Sequence, residues 1–116
     1  METPRHMTNE EREAAQVQGL HVVNGELWAG KHKVIKGWES FSGWYWFAVE
    51  KIEERKVAEG SGSVMADGSV VDDIIWFGLV QGIEEEWGDF SQTEIQSLGA
   101  LAWPIPKCNL PFSGRR

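Results

Sequence analysis

The chain has 116 residues, of which 41% are hydrophobic and 25% are charged. This length and composition fit one globular domain, and they exclude a disordered chain, a repeat array and a two-domain enzyme. The formal charge is −7, from 11 basic and 18 acidic residues. Because nucleic-acid binding depends on clustered Lys and Arg, we expect no direct contact with nucleic acid. We expect a single domain over residues 1–116.

The cellular compartment follows from segments that the sequence lacks. Its uncharged runs are shorter than the roughly 20 apolar residues that a membrane helix needs. The N-terminal residues contain no apolar signal-peptide core. The single cysteine, Cys108, excludes an internal disulfide framework and fits a reducing compartment. We therefore expect a cytoplasmic protein that makes no membrane contact.

The N-terminal part predicts a helix followed by a hairpin. Thr8 and Glu11 have capping-box spacing, and the helix-favouring run after them ends at Gly19. Asn24 and Gly25 stand between two short apolar runs. This dipeptide predicts a tight turn between two strands, because it readily adopts the positive φ angles that a type I′ turn requires.

Residues 43–51 and 74–81 are the strongest strand candidates in the sequence. Both runs are rich in aromatic and β-branched residues, which fit a pleated surface. Apolar side chains occupy odd and even positions alike, so we expect central strands covered on both faces. The region between them, residues 52–73, is charged and glycine-rich. We expect it to be a flexible surface excursion that contains an Asp67-Gly68 turn.

The C-terminal part predicts a second short helix. Ser91 and Glu94 form a capping box, Phe90 and Ile95 fit the hydrophobic staple around it, and Gly99 ends the helix. The predicted fold is therefore α+β, with a mainly antiparallel, twisted sheet of four to six strands and two short helices.

Several motifs occur in an order that resembles a known bacterial family. They are the strand Trp44-Tyr45-Trp46-Phe47-Ala48-Val49-Glu50, the strand Trp76-Phe77-Gly78-Leu79-Val80-Gln81-Gly82, the following turn and Phe90-Ser91 helix start, and Pro104-Ile105. This series is similar to the domain-of-unknown-function family number twenty-nine fifty-eight, which pairs a "Trp-x-Trp-Tyr" strand with a "Phe-Gly-x-Val-x-Gly" strand. The resemblance implies a gene carried on plasmids, phages or integrated elements. It implies no activity and transfers no catalytic residues.

The most concentrated charge in the sequence is the acidic run Glu84, Glu85 and Glu86 with Asp89. One interpretation is a solvated turn that leads into the final helix, where negative charge is favourable near the N-terminus. The other is a negative patch for a basic partner, because clustered like charges lower stability unless something offsets them. The alternating oxygen ligands of a calcium loop are absent from the sequence, which argues against a metal site.

The seven tryptophans are too many for the core of so small a chain. We expect Trp46 and Trp76 in the core. For Trp28, Trp38 and Trp44 the sequence leaves two interpretations open, burial in the core or exposure at an interface. Exposed aromatic clusters mark interaction surfaces, since Trp and Tyr dominate binding hot spots.

These features together predict a non-enzymatic, acidic binding protein of a mobile genetic element. The predicted partner-binding residues are Glu84, Glu85, Glu86, Asp89, Trp28, Trp38 and Trp44. The expected partner is a host protein with a basic surface, as a counter-defence inhibitor of restriction or CRISPR machinery would need; a homodimer is a further option. The alternative is a small-ligand-binding or catalytic domain that uses an aromatic pocket and carboxylates. We expect no cofactor, no metal and no catalytic residue.

Overall fold

Two long antiparallel strands form the middle of the fold. The structure, a computed structural model, describes residues 8–116. Strands β5 (Tyr45–Arg55) and β8 (Asp73–Gln81) lie side by side, and each has a further neighbour within a five-stranded sheet. They correspond to the two aromatic segments, whose side chains pack on both faces of the pleated surface. The prediction of two central strands is confirmed.

The other elements surround this pair. The main sheet has the order β10-β4-β5-β8-β9, and every neighbouring pair is antiparallel. Strand β4 (Lys36–Ser40) lies beside β5, and the two edge strands are β9 (Glu85–Ser91) and β10 (Ala102–Pro104). The smaller sheets comprise β1 (Leu20–Val23), β2 (Glu26–Ala29) and β3 (His32–Lys33), and β6 (Ser63–Val64) with β7 (Val70–Val71). The helices are α1 (Asn9–Ala15) and α2 (Gln92–Gln96). The α+β fold class with a mainly antiparallel sheet is confirmed.

Different hydrophobic clusters cover the two faces of the main sheet. Successive side chains of a strand point to opposite faces, so Phe47 and Ala48 belong to different clusters. Phe47 packs with Leu79 and with side chains of the first hairpin and the C-terminal tail, namely Leu20, Leu27, Ala29, Val34, Ile105 and Leu110. Ala48 packs with Trp38, Trp76, Phe90, Ile95 and Ala102. This second face is the one that α2 covers.

Both helices begin where the sequence predicts. The Thr8 hydroxyl accepts a hydrogen bond from the Glu11 N–H at 3.1 Å, and the Ser91 hydroxyl accepts one from the Glu94 N–H at 3.2 Å. Each bond satisfies an N–H that has no partner within its helix. Among residues 8–116, none of the helices combines the length and the apolar character that a membrane crossing requires.

The first hairpin also forms at the predicted dipeptide. Asn24 and Gly25 adopt φ angles of 51° and 75°, and they join β1 to β2 with Val23 paired to Glu26. Leu20 at the start of β1 is buried in the cluster that contains Phe47. The small sheet therefore covers the main sheet on the face opposite α2.

The predicted excursion is shorter than residues 52–73. Strand β5 continues to Arg55, and Asp73 already belongs to β8. Between them the chain forms a 3₁₀ turn, Val57–Glu59, and the β6–β7 hairpin, whose turn contains the expected Asp67-Gly68 pair. No residue from position 50 to position 72 is buried. The flexibility of this region stays a prediction.

Candidate partner-binding surface

Most of the acidic run belongs to an edge strand. Glu84 lies in the turn after β8, whereas Glu85, Glu86 and Asp89 lie in β9 and pair with β8 in a regular antiparallel register. All four side chains are exposed. The interpretation as a turn that leads into the helix is therefore wrong for three of the four residues. Pairing with β8 holds them in an extended conformation.

The alternation along β9 divides the carboxylates between the two faces of the sheet. Glu85 and Asp89 share one face with Trp87, and Glu86 shares the other face with Phe90. Since Phe90 belongs to the cluster beneath α2, Glu86 lies on the α2 side of the sheet. The carboxylates of β9 therefore point to opposite faces of the sheet, and the acidic run does not form a single patch.

Most of these carboxylates form no ion pair among the described residues, although Arg115 and Arg116 line a cleft together with Glu84 and Glu85. Glu85 accepts a hydrogen bond from the Gln81 Nε2 at 2.9 Å. Within residues 8–116, no Lys, Arg or His forms an ion pair with Glu84, Glu86 or Asp89. No direct ion pair neutralises their negative charge, and it is available to a basic partner.

Two of the three candidate tryptophans belong to the core. Trp38 is 2% exposed and packs edge-to-face on Phe90, with 5.9 Å between ring centroids. Trp28 is 5% exposed and packs with Ala14 and Val23 between α1 and the first hairpin. Of the two interpretations that the sequence left open for Trp28 and Trp38, burial in the core is the one that the structure has. A contact of either ring with a partner stays a prediction, and the burial argues against it. Burial here depends on which elements cover the sheet.

Trp44 is the candidate tryptophan that reaches the surface, with 37% of its area exposed. Its backbone is fixed by Ser40, whose hydroxyl accepts from the Trp44 N–H at 3.2 Å and whose own N–H donates to the Trp44 carbonyl at 2.9 Å. Its ring lies over Gly82, where a Cβ atom would come within 2.5 Å of two ring carbons. Trp46, half-buried, lies beside it at 6.0 Å between ring centroids. These contacts hold a large aromatic ring at the surface.

Open clefts lie on both sides of the Trp44 ring. The first, of about 200 Å³, is lined by Val80, Gly82, Ile83, Glu84 and Glu86. The second, of about 300 Å³, is lined by Ser40, Phe41, Ser42, Trp46, Leu98 and Leu101. We call the two clefts together the Trp44 groove. The side chains of Phe41 and Ile83 are 71% and 91% exposed. The groove is therefore an exposed apolar surface with two carboxylates at one end.

The sequence analysis did not include Trp87 among the site residues. Its side chain is 45% exposed, and its ring stacks on Phe77 and meets His32 edge-on, each at 5.8 Å between ring centroids. The signal was present in the sequence, because Trp87 stands two residues from both Glu85 and Asp89. In a strand that spacing places all three on one face.

Asp73 is a buried carboxylate, 3% exposed, with a structural role. The hydroxyls of Ser63 and Ser91 donate to one oxygen, and the N–H groups of Ile74 and Thr93 donate to the other. Burial raises the pKa of Asp73, but the hydrogen bonds from Ser91, Thr93 and Ser63 outweigh it, so the pKa lies below its ordinary value. Its oxygens are occupied by the protein itself.

A larger cleft, of about 580 Å³, lies between α1 and the first hairpin. Four of its polar side chains are paired: Asn24 donates to Glu10 at 3.2 Å, and Lys33 pairs with Glu26 at 2.9 Å. Trp28 also lines this cleft, and its buried Nε1 has no hydrogen-bond partner among the described residues. In the part of the chain that the structure describes, no group of His, Cys, Asp or Glu is arranged to hold a metal ion. The alternative of a small-ligand-binding or catalytic domain with an aromatic pocket and carboxylates stays a prediction.

Comparison with known proteins adds nothing to this geometry. No protein-family model, no curated protein and no solved structure matches the chain. The resemblance to the domain-of-unknown-function family therefore stays a prediction. The functional argument depends on the Trp44 groove and on the charges of strand β9.

Proposed function

We propose that the protein is a non-enzymatic binding protein that docks a protein partner in the Trp44 groove. The observation that carries this proposal is the half-exposed ring of Trp44, held between two open clefts by Ser40 and Gly82. Tryptophan is enriched among the residues that dominate binding energy. An exposed apolar patch with a polar rim is typical of an interaction site.

The carboxylates at the end of the groove favour a basic partner. Glu84 and Glu86 line the same cleft as Trp44 and have no cationic partner among the described residues. The whole chain carries a net charge of −7, and such a charge accelerates association with a surface of opposite sign. We therefore propose a partner whose basic side chains surround an apolar contact.

A basic protein surface indicates a class of target. Restriction and CRISPR effectors bind nucleic acid through basic grooves, to which a small acidic protein is attracted. The motif resemblance to a family carried on plasmids and phages supports the same direction. We propose a counter-defence inhibitor, encoded by a mobile element and acting in the cytoplasm. This step depends on charge and on genetic context.

The groove is tested by replacing Trp44 and a matched tryptophan. Trp103 is 40% exposed, close to the value for Trp44, and it alternates with Ala102 and so lies on the other face of the sheet. With a partner captured by the wild-type protein, Trp44→Ala should weaken binding by about 2 kcal/mol or more, roughly 30-fold. Trp103→Ala should leave the affinity within about twofold. Equal effects of the two substitutions would refute the groove as the docking site.

The charge contribution is tested by association kinetics. Glu84→Gln with Glu86→Gln should slow association, and added salt should reduce the difference from wild type. Glu50→Gln with Glu59→Gln is the control, because both side chains are exposed and lie outside the groove. The control removes the same net charge. If both pairs slow association equally, the total charge matters and the position of the carboxylates does not.

A further inference from the structure

We propose that the free edge of strand β9 accepts an extended, basic segment of a partner protein as an additional strand of the main sheet. This inference goes beyond the Trp44 groove. The two surfaces are separate and either can bind without the other, although Glu86 lies in the strand and also lines the groove.

The two edges of the main sheet differ in how they are protected. Strand β10 has three residues and ends in Pro104, which has no N–H to offer, so this edge is blunted. Strand β9 has seven residues, contains no proline, and pairs with β8 without a register shift. No strand of the described chain pairs with its outer edge. A long, regular edge of this kind presents unpaired N–H and C=O groups to an incoming strand.

The side chains of β9 specify what the incoming strand should carry. Glu85, Trp87 and Asp89 alternate on one face, and in a paired strand the side chains opposite them lie about 5 Å away. The best complement is a basic, an apolar and a basic side chain at alternating positions. On the other face, a Cβ atom at Gly88 would meet nothing within 4 Å. That face therefore leaves room for the partner's remaining side chains.

Trp87 provides the apolar contact at the centre of this edge. Its ring is supported from below by Phe77 and His32, each at 5.8 Å between ring centroids. It also forms one wall of a groove of about 280 Å³ that Ala15 and Val17 line together with the polar side chains of Gln18 and Lys31. An apolar side chain placed opposite Trp87 can therefore extend onto the apolar part of this groove.

Charge argues against a second copy of this chain as the occupant. Antiparallel pairing of β9 with itself would bring two sets of Glu85, Glu86 and Asp89 onto one short ribbon. No described Lys, Arg or His pairs with Glu86 or Asp89 to relieve the repulsion. Like charges across paired strands are destabilising, whereas a basic strand converts the same positions into attractive pairs.

The experiment uses the peptide acetyl-Thr-Arg-Thr-Leu-Thr-Arg-Thr-amide as the probe and the full, ¹⁵N-labelled chain as the receptor. Two further peptides carry N-methyl groups either on the Arg and Leu amides or on the internal Thr amides. In an added strand only every second N–H faces the protein. We expect one methylated peptide to bind like the parent and the other to bind at least tenfold more weakly, with amide shifts confined to Glu85–Ser91 and its neighbours.

The same titration contains the results that would overturn the proposal. Equal binding of both methylated peptides would indicate charge attraction without strand addition. Shifts centred on Trp44, or no binding at millimolar peptide, would also refute it. A dimer of the unliganded chain, detected by sedimentation, would also refute the proposal if its interface protects the β9 amides from hydrogen exchange.

Variants of the chain assign the peptide to the strand edge. Glu85→Gln with Asp89→Asn should weaken binding about tenfold, and the glutamine keeps an acceptor for Gln81. The charge-matched control, Glu50→Gln with Glu59→Gln, should remain within twofold. The peptide should lose affinity for the edge variant and keep its affinity for Trp44→Ala. This pattern separates the two proposals, because binding at the strand edge can then fail without binding in the Trp44 groove failing, and the reverse.

Discussion

Replacing Asp73 with alanine should destabilise the fold more than any other single removal of a carboxylate. Its side chain accepts hydrogen bonds from four donors: the hydroxyls of Ser63 and Ser91 and the N–H groups of Ile74 and Thr93. These donors belong to the β6–β7 hairpin, the end of β9, and the starts of β8 and α2. One carboxylate thus connects elements that are distant in sequence.

The magnitude follows from what happens to each donor. A hydrogen bond to a charged group contributes about 1.5–3 kcal/mol, and a buried donor left without a partner loses about 1–3 kcal/mol. Thr93 is buried, so its N–H cannot recruit water easily, whereas Ser63 and Ser91 are half-exposed and can. Counting the N–H groups in full and the hydroxyls in part, we expect Asp73→Ala to lower the free energy of unfolding by about 3–5 kcal/mol.

The assay is urea unfolding followed by tryptophan fluorescence. A loss of this size is a large fraction of the roughly 5–15 kcal/mol that stabilises a typical domain, and it should appear as a lower midpoint with an unchanged slope. Asp67→Ala is the control, because Asp67 is exposed and the hydrogen bonds that it accepts come from its near neighbour Ser69. If Asp73→Ala shifts the midpoint no more than the control does, the Asp73 network does not stabilise the fold.

Three further predictions concern the same region. The pKa of Asp73 is lower in the folded chain than its usual value of 3.8. The folded state therefore binds fewer protons than the unfolded state, and the free energy of unfolding should fall as the pH drops below that value. Asp73→Asn should reduce this pH dependence in unfolding curves, and an unchanged pH dependence would contradict the prediction. Ser91→Ala should lower the free energy of unfolding by about 1–3 kcal/mol, because it removes both the helix cap and a hydrogen bond to Asp73. A loss below about 0.5 kcal/mol, measured by urea unfolding, would disprove the capping role. Replacing residues 59–68 with a short Gly/Ser linker should lower the free energy of unfolding by about 1 kcal/mol, the contribution of the Ser63 hydrogen bond. A loss of several kcal/mol in thermal unfolding would show that this segment is part of the core.

Features that depend on neighbouring residues in the chain could be predicted. The caps at Thr8 and Ser91 and the turn at Asn24-Gly25 form as expected, because their hydrogen bonds and φ angles are local. The central strands were evident from apolar side chains at consecutive positions around Trp46 and Trp76. In each case the deciding interactions lie within a few residues of the signal.

Features that depend on distant contacts could not be predicted. Glutamate has low β-propensity, and only the pairing of Glu85 and Glu86 with β8 extends the chain there. The burial of Trp28 and Trp38 depends on α1, α2 and the first hairpin, whose placement no local pattern reveals. The spacing of Trp87 from Glu85 and Asp89 was visible in the sequence, but its exposure follows from the position of β9 at the sheet edge.

The distribution of the tryptophans gives the molecule two optical populations. Trp28 and Trp38 are buried, whereas Trp44, Trp87 and Trp103 are exposed over more than a third of their area. Iodide should be a poor quencher of the Trp44 and Trp87 rings at low salt, because Glu84, Glu86 and Asp89 surround them with negative charge. Neutral acrylamide lacks this repulsion. The ratio of the iodide to the acrylamide quenching efficiency therefore reports the local electrostatic potential at the exposed indoles. This ratio should change when a cationic surface covers them.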